Sequence, residues 1–352
     1  MGKRCFIYGA QSLAHGVCVA LQAMGQDICG YVVTSREGNP TKIDGLPVVE
    51  LASLRGEDCF FYIAVPEYLH EEIIAILRAA GHFAFSCIDA AEEYALLARL
   101  LGGRGFSFAE EARESLLSGQ EALPGTAVYA ACSSHDRPLE GQRGLPRYLR
   151  RMQAGAALDM RLPFCAYDDV GENISCENRH YDELTVTYWI WKNCTEPVKG
   201  IAHYRRYLAV PRATMGELLS GKVDVCLPPP FVCWPDTGTQ YRRYNTQEAV
   251  AAMLTAIEDI HGASEREAAE MVLRGKYLYN YNMLVARAPV FDDYCAWMFP
   301  VLFRVQTLVP GLFPSGVHTR VCGHLGELLL SVYFLMRRGI FAEVHVPKVW
   351  LT

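Results

Sequence analysis

Residues His203-Tyr204-Arg205-Arg206-Tyr207 place up to three cationic groups within four positions, directly after a short strand expected over 198–202. An arginine fork grips two oxygens of a phosphate at once, and each such charge-assisted bond is worth roughly 1.5–3 kcal/mol. On an extended backbone His203, Arg205 and Tyr207 would point one way, and Tyr204 and Arg206 the other. The cluster therefore reads as a phosphate grip at the C-terminal end of a buried strand, where α/β sheets place ligands. The competing reading is a surface or salt-bridged arginine pair.

Three further constellations carry polar groups suited to a sugar or a base. Ser175 is a sound N-cap for a helix beginning near Asn173-Ile174-Ser175. In one continuous helix Tyr181, Leu184, Tyr188 and Trp191 form a core stripe. Asn178, Asp182, Thr185, Trp189 and Lys192 form a second, either a solvated face or a hydrogen-bonding surface with an indole beside it. Alternation over 279–286 predicts a strand with Asn280 and Asn282 on one face, as sugar-binding amides or as solvated groups of an edge strand. His324 and Glu327, three apart at the start of a helix over 328–338, would share a face. Glu327 then reads as a general base or sugar-binding carboxylate, or as a first-turn acid complementing the helix dipole.

These residues need elements to position them. Residues 3–87 alternate strand and helix patterns: strands over 4–8, 27–33, 59–64 and 83–87, helices over 12–24 and 67–80. That alternation implies right-handed crossovers and a parallel sheet. Gly9 permits a tight turn after the first strand, and a helix from Ser12 would aim its N–H groups at an anion. No G-x-G-x-x-G spacing follows, and the second strand ends at Val33-Thr34-Ser35 without an acidic residue, which argues against a dinucleotide. The expected organisation is a Rossmann-like unit over 1–88, a helical and Gly-rich linker over 89–125, and an α/β domain over 126–352 that opens with a strand over 126–132.

Composition bounds the partners. The chain has 352 residues, 51% hydrophobic and 20% charged, with net charge −6. No overall field favours nucleic acid or an acidic membrane, so an anion must be held by local basic groups. The 13 cysteines include no Cys-x-x-Cys and read as reduced core residues of a cytoplasmic protein. No signal segment or spanning run is apparent.

The set Asn173-Ile174-Ser175, Asn178, Tyr181, Glu183-Leu184-Thr185, Tyr188-Trp189-Ile190-Trp191-Lys192-Asn193 and His203-Tyr204-Arg205-Arg206-Tyr207 resembles a family of capsular and exopolysaccharide biosynthesis domains. These group with GT-A-type glycosyltransferases. The resemblance continues through 280–285, the aromatic cluster at 294–299, Arg320 and Gly326-Glu327, and covers about 126–350. One departure is Cys132-Ser133-Ser134-His135-Asp136, where related sequences often carry Thr-His-Lys; a lysine contact to the nucleotide is then missing. The N-terminal segment, with Tyr8-Gly9-Ala10 and Asp44-Gly45-Leu46-Pro47-Val48, resembles the small Rossmann-like domain of sugar O-acetyltransferases, without their hexapeptide repeats.

The resemblance implies an α/β fold, a nucleotide-diphosphate sugar donor, and an oligosaccharide or lipid-linked acceptor. Expected roles are a diphosphate held by His203, Arg205 and Arg206, a base or donor sugar met by Asn173, Asn178 and Asp182, and closure by Asn280 and Asn282. Lys192 and His324 join that binding set, and Glu327 is the expected base of an inverting reaction. No two aspartates are spaced Asp-x-Asp, so the arginines are expected to replace a metal, although a Mn²⁺ or Mg²⁺ requirement stays open. Peripheral contact with the inner face of a membrane and oligomerisation also stay open. The alternative functions are a non-catalytic nucleotide-sugar-binding scaffold and an oxidoreductase or epimerase seated in the N-terminal half.

Overall fold

The computed structural model describes residues 3–110, 123–137, 146–163, 165–243 and 245–351. The fold is mixed α/β, built on two principal sheets. The first contains β1 (Arg4–Tyr8), β2 (Ile28–Val33), β3 (Lys42–Ile43), β4 (Leu46–Glu50), β5 (Cys59–Ile63) and β6 (Phe85–Cys87), in the order β3-β4-β2-β1-β5-β6. All pairings but β3–β4 are parallel. The expected strands and the helix Ser12–Ala23 are present; the helix expected over 67–80 opens with a 3₁₀ turn, Glu67–Leu69, before His70–Ala79. Gly9 sits at φ +117°, and a Cβ there would lie 2.9 Å from the Ala64 carbonyl oxygen, so only glycine fits the turn.

The second sheet contains β7 (Thr126–Cys132), β8 (Leu149–Gln153), β9 (Ala166–Tyr167), β10 (Val198–His203), β11 (Arg206–Leu208) and β12 (Val225–Leu227). After β13 (Phe231–Val232) and β14 (Tyr277–Leu278), which pair with each other, it adds β15 (Leu284–Arg287), β16 (Glu343–His345) and β17 (Lys348–Trp350). Its order is β16-β12-β15-β10-β7-β8-β9, with β11 bridging β10 and β17. Strands β10, β7, β8 and β9 run parallel, so their C-terminal ends meet at one edge.

Period-two alternation splits this sheet between two cores. Ala127, Tyr129 and Ala131 face a core shared with the helices Leu184–Asn193, Gln247–His261, Ala288–Leu308 and Val321–Met336, while Val128 and Ala130 face the opposite core. Trp297 is buried in the first core.

Helix Ala90–Gly102 carries a capping box in which Asp89 accepts from the Glu92 N–H at 2.8 Å. Expected as part of a linker, it instead shares one apolar cluster with both halves of the chain: Ala20, Leu97, Leu100, Leu101, Phe106 and Val232. Residues 111–122 of that linker lie outside the described residues. His15 spans the same junction, its ring nitrogens 2.7 Å from the Val232 oxygen and 2.8 Å from Asp44. All 13 cysteines are unpaired, most of them buried. Among the described residues no helix is long and apolar enough to cross a membrane.

Candidate active site

Where β7, β8 and β10 end, a cavity of about 520 Å³ opens, lined by Cys132, Ala154 and His203 at the strand tips. That volume suits a small ligand, and the position is the one at which α/β sheets bind ligands. Asp168, fully buried, accepts from the Gly155 and Ala156 N–H groups at 2.9 and 3.0 Å and from the Ser175 hydroxyl, fixing the loop that supplies Ala154 and Leu158 to the wall. Ser175 is thus not the expected helix cap; its hydroxyl is spent on Asp168 and on the Ala157 N–H.

The arginine wall does not follow the expected extended run. β10 turns back into β11 with His203 opposite Arg206, a hairpin with Tyr204 and Arg205 at its tip. The turn cancels the expected alternation and brings His203, Tyr204, Arg205 and Arg206 to the same cavity. Among the described residues neither Arg205 nor Arg206 has a carboxylate within ion-pair distance. The Arg206 guanidinium lies 4.0 Å from the Trp350 ring and 4.5 Å from the Tyr281 ring, with Nε buried and without a hydrogen-bond partner. Burial pulls its pKa below the ordinary arginine value, and the neighbouring Arg205 charge adds to that, against the opposing influence of Tyr281, Glu327 and Glu183.

His203 is not a third cation. Burial, reinforced by the Arg206 charge, lowers its pKa to about 4, so the ring is neutral and Nε2–H donates to the Tyr281 carbonyl. Beside it, Glu183 Oε1 lies 3.8 Å from His203 Nε2 and accepts from the Asn282 amide at 2.6 Å. Burial and the Asp182 charge raise the Glu183 pKa to about 7, and Glu183 lines the cavity.

The single helix expected from Ser175 onward breaks. Asn178–Tyr181 is one short helix, Asp182 takes φ +48°, and Leu184–Asn193 is another. The break turns the Asp182 carboxylate toward His318 Nε2 at 2.7 Å and Arg320 Nε at 2.8 Å. Burial alone would raise its pKa; the His318 and Arg320 bonds overcome that and hold it below the ordinary carboxylate value. Arg320 and His318 are cavity residues, as are Asn178, Arg179, Asp136 and Asp159.

Asp136 accepts from the Ser133 N–H at 2.7 Å, and Asp159 from the Ser134 hydroxyl at 3.0 Å. Among the described residues no three His, Cys, Asp or Glu side chains gather as a metal site would require.

Residues 142–338 match the family described as "Domain of unknown function (DUF4422)". The chain belongs to the DUF4422 family. The match spans the arginine hairpin, Asp182, Glu183 and Arg320 and ends before Trp350. A solved structure described as the WbbM bifunctional glycosyltransferase in its apo state resembles this DUF4422 chain with TM-score 0.54 and 21% identity, over 66% of this chain and 46% of that one. The chain thus spans about half the length of that structure, and the likeness is one of fold. No curated protein matches the chain.

Five of the expected binding residues, Asn178, Asp182, His203, Arg205 and Arg206, therefore meet at the DUF4422 cavity. Five others do not line it. Asn173 folds onto its own loop, its amide bonding the Gly171 oxygen at 2.8 Å and the Ser175 N–H at 3.1 Å. Lys192 pairs with Glu172 at 3.3 Å and stacks 3.7 Å from Trp191. Asn280 and Asn282 do not share a strand face, because the backbone turns at Tyr281 (φ +74°) and Asn282 (φ +48°). Asn282, 1% exposed, serves Glu183 and the Gly323 carbonyl instead of a ligand. His324 bonds Asn245 at 2.7 Å.

Glu327, the expected base, is also misplaced. Helix Val321–Met336 begins earlier than expected and carries its carboxylate behind the arginine wall, where Oε1 accepts from the Tyr281 N–H at 3.0 Å. Burial and the Glu183 charge raise its pKa to about 7. Of the carboxyls that line the cavity, Glu183 is the one whose pKa is raised to about 7, and neither it nor His318 draws a role from the sequence. Glu183 stood one residue from Asp182 inside the recognisable motif, whereas His318 has no local signal at all.

Proposed function

We propose that this chain is a glycosyltransferase that moves a sugar from a nucleotide-diphosphate donor to a saccharide acceptor in surface-polysaccharide synthesis. The observation that carries the proposal is the pair Arg205 and Arg206, two guanidiniums that line a cavity at the C-terminal ends of parallel strands and that, among the described residues, have no carboxylate at ion-pair distance. A diphosphate leaving group is the anion that such a wall fits, and fixed charges at the leaving oxygen lower the barrier without reorganising water. The fold shared with a glycosyltransferase supports the same reading.

In an inverting reaction the acceptor hydroxyl gives its proton to Glu183 as its oxygen bonds to the sugar's anomeric carbon. The bond from that carbon to the diphosphate breaks, and the electron pair leaves on a phosphate oxygen held by Arg205 and Arg206. A carboxyl titrating near 7 is well matched to that proton transfer at neutral pH. The neighbouring Asp182 carboxylate is engaged by Arg320 and His318 and so orients the rim.

The proposal extends to a cytoplasmic setting, at the inner face of the membrane when the acceptor is lipid-linked. It divides the chain at about residue 125, with the N-terminal sheet, likened to that of sugar O-acetyltransferases, as a docking and bracing unit. The test is a thermal-shift screen against UDP-, GDP-, CMP- and dTDP-sugars, followed by transfer assays with the donor that binds. A raised melting point for one nucleotide series is expected. A protein that binds a donor but neither hydrolyses nor transfers it would be a scaffold, and one that binds none would overturn the reading.

A further inference from the structure

Beside the arginine wall stand three aromatic rings contributed by both halves of the chain. Tyr204, at the tip of the β10–β11 hairpin, lines the cavity. Trp350 lies opposite Arg206 in the β11–β17 pairing; Arg206 is 4.0 Å from its ring and Tyr281 meets it edge-on at 5.7 Å, which locks the indole in place. Tyr68 comes from the N-terminal half, 6.4 Å from Trp350 with the rings inclined at 51°. Arg205 joins the set, 5.5 Å from Tyr204 and 6.0 Å from Trp350.

Tyr68 is 58% exposed, so its own packing does not explain its place. The turn that carries it is nevertheless fixed, because the Glu67 carboxylate accepts from the Ala90 N–H at 2.8 Å. An exposed aromatic ring on a pinned turn, continuous through Trp350 with a cationic cavity, is the surface that receives the C–H face of a pyranose. Two rings inclined at 51° form a trough, which suits successive sugar units of differing tilt better than a flat base requiring parallel stacking.

We propose that Tyr68, Tyr204 and Trp350 form the acceptor-saccharide subsite, so that the N-terminal half contributes directly to acceptor binding. This deepens the transferase reading and rests on it for the sugar's fate, but the binding can be tested alone. Saturation-transfer NMR on the full chain with methyl glycosides of glucose, galactose and mannose should show transfer to ring C–H protons of at least one. Tyr68→Ala should weaken that binding about fivefold, while any melting-point rise caused by a nucleotide-sugar stays as in the wild type.

Equal transfer in Tyr68→Ala and wild type, or no transfer to any of the three glycosides, would overturn the subsite. So would uridine or guanosine, rather than a glycoside, losing its signal in Tyr68→Ala. Glycoside binding without any nucleotide-sugar effect on the wild type would instead leave the subsite standing and remove the transferase reading.

Discussion

The Asn282 amide donates to Glu183 Oε1 at 2.6 Å across 99 residues of sequence, from a backbone held at φ +48°. Its second bond, to the Gly323 carbonyl at 2.8 Å, ties the same amide to the helix Val321–Met336. One buried side chain therefore sets where the cavity's carboxyl points.

That geometry makes Glu183 the group to titrate. Its pKa, raised by burial and the Asp182 charge to about 7, predicts that kcat rises with pH through the neutral range as the carboxyl ionises. Glu183→Gln should lower kcat by about 10²-fold or more with little change in donor KM. A pH–rate profile of wild type and variant checks both, and an unchanged kcat would move the base elsewhere.

Arg205→Ala should weaken donor binding by about tenfold to a hundredfold, the loss of one charge-assisted grip. Arg206→Lys should also lose affinity, because a compact ammonium cannot reach both the Trp350 and Tyr281 rings and an anion as the planar guanidinium can. Isothermal titration with the bound nucleotide-sugar measures both, and circular dichroism confirms that the fold is retained. If the arginines supply the charge neutralisation, turnover should persist in excess EDTA; loss restored only by Mn²⁺ or Mg²⁺ would show otherwise.

His318 should titrate above the ordinary histidine value, chiefly through its hydrogen bond to Asp182. A raised histidine pKa means that its stabilising contact is complete below the unfolded value and is lost as pH rises through the folded one. The 318–320 rim should therefore loosen on the alkaline side. An NMR titration of the His318 ring should show this, and Asp182→Asn should move the midpoint down.

Gly326→Ala should destabilise the protein by about 1–3 kcal/mol through overpacking. A Cβ at that helical position would lie 2.7 Å from Asn282 Oδ1 and 2.8 Å from Leu184 Cδ1, both well-buried neighbours. Thermal denaturation reads the loss, and a melting point equal to the wild type would show that the Asn282 turn can yield.

Local pattern located single strands, not the second sheet as a whole: β1 and β7 have the expected bounds, because alternation and turn glycines are properties of short segments. It failed at Asp182, Tyr281 and Asn282, three non-glycine residues with positive φ. Asp182 and Asn282 are held there by partners far along the chain, His318 and Arg320 for the first, Glu183 and Gly323 for the second. The same limit applies to the β10–β11 hairpin, whose tip, Tyr204-Arg205, carries no glycine, asparagine or aspartate to announce a tight turn. Once those backbone reversals were missed, Glu327 looked accessible and Glu183 did not.

Val232 buries its side chain among Leu97, Leu101 and Phe106, and its carbonyl meets His15. The two halves of the chain consequently share one piece of interior, and separating them would leave oily surface on each. Heating should melt them together in a single calorimetric peak. Excising the first hundred residues should yield a sticky remnant instead of a working half.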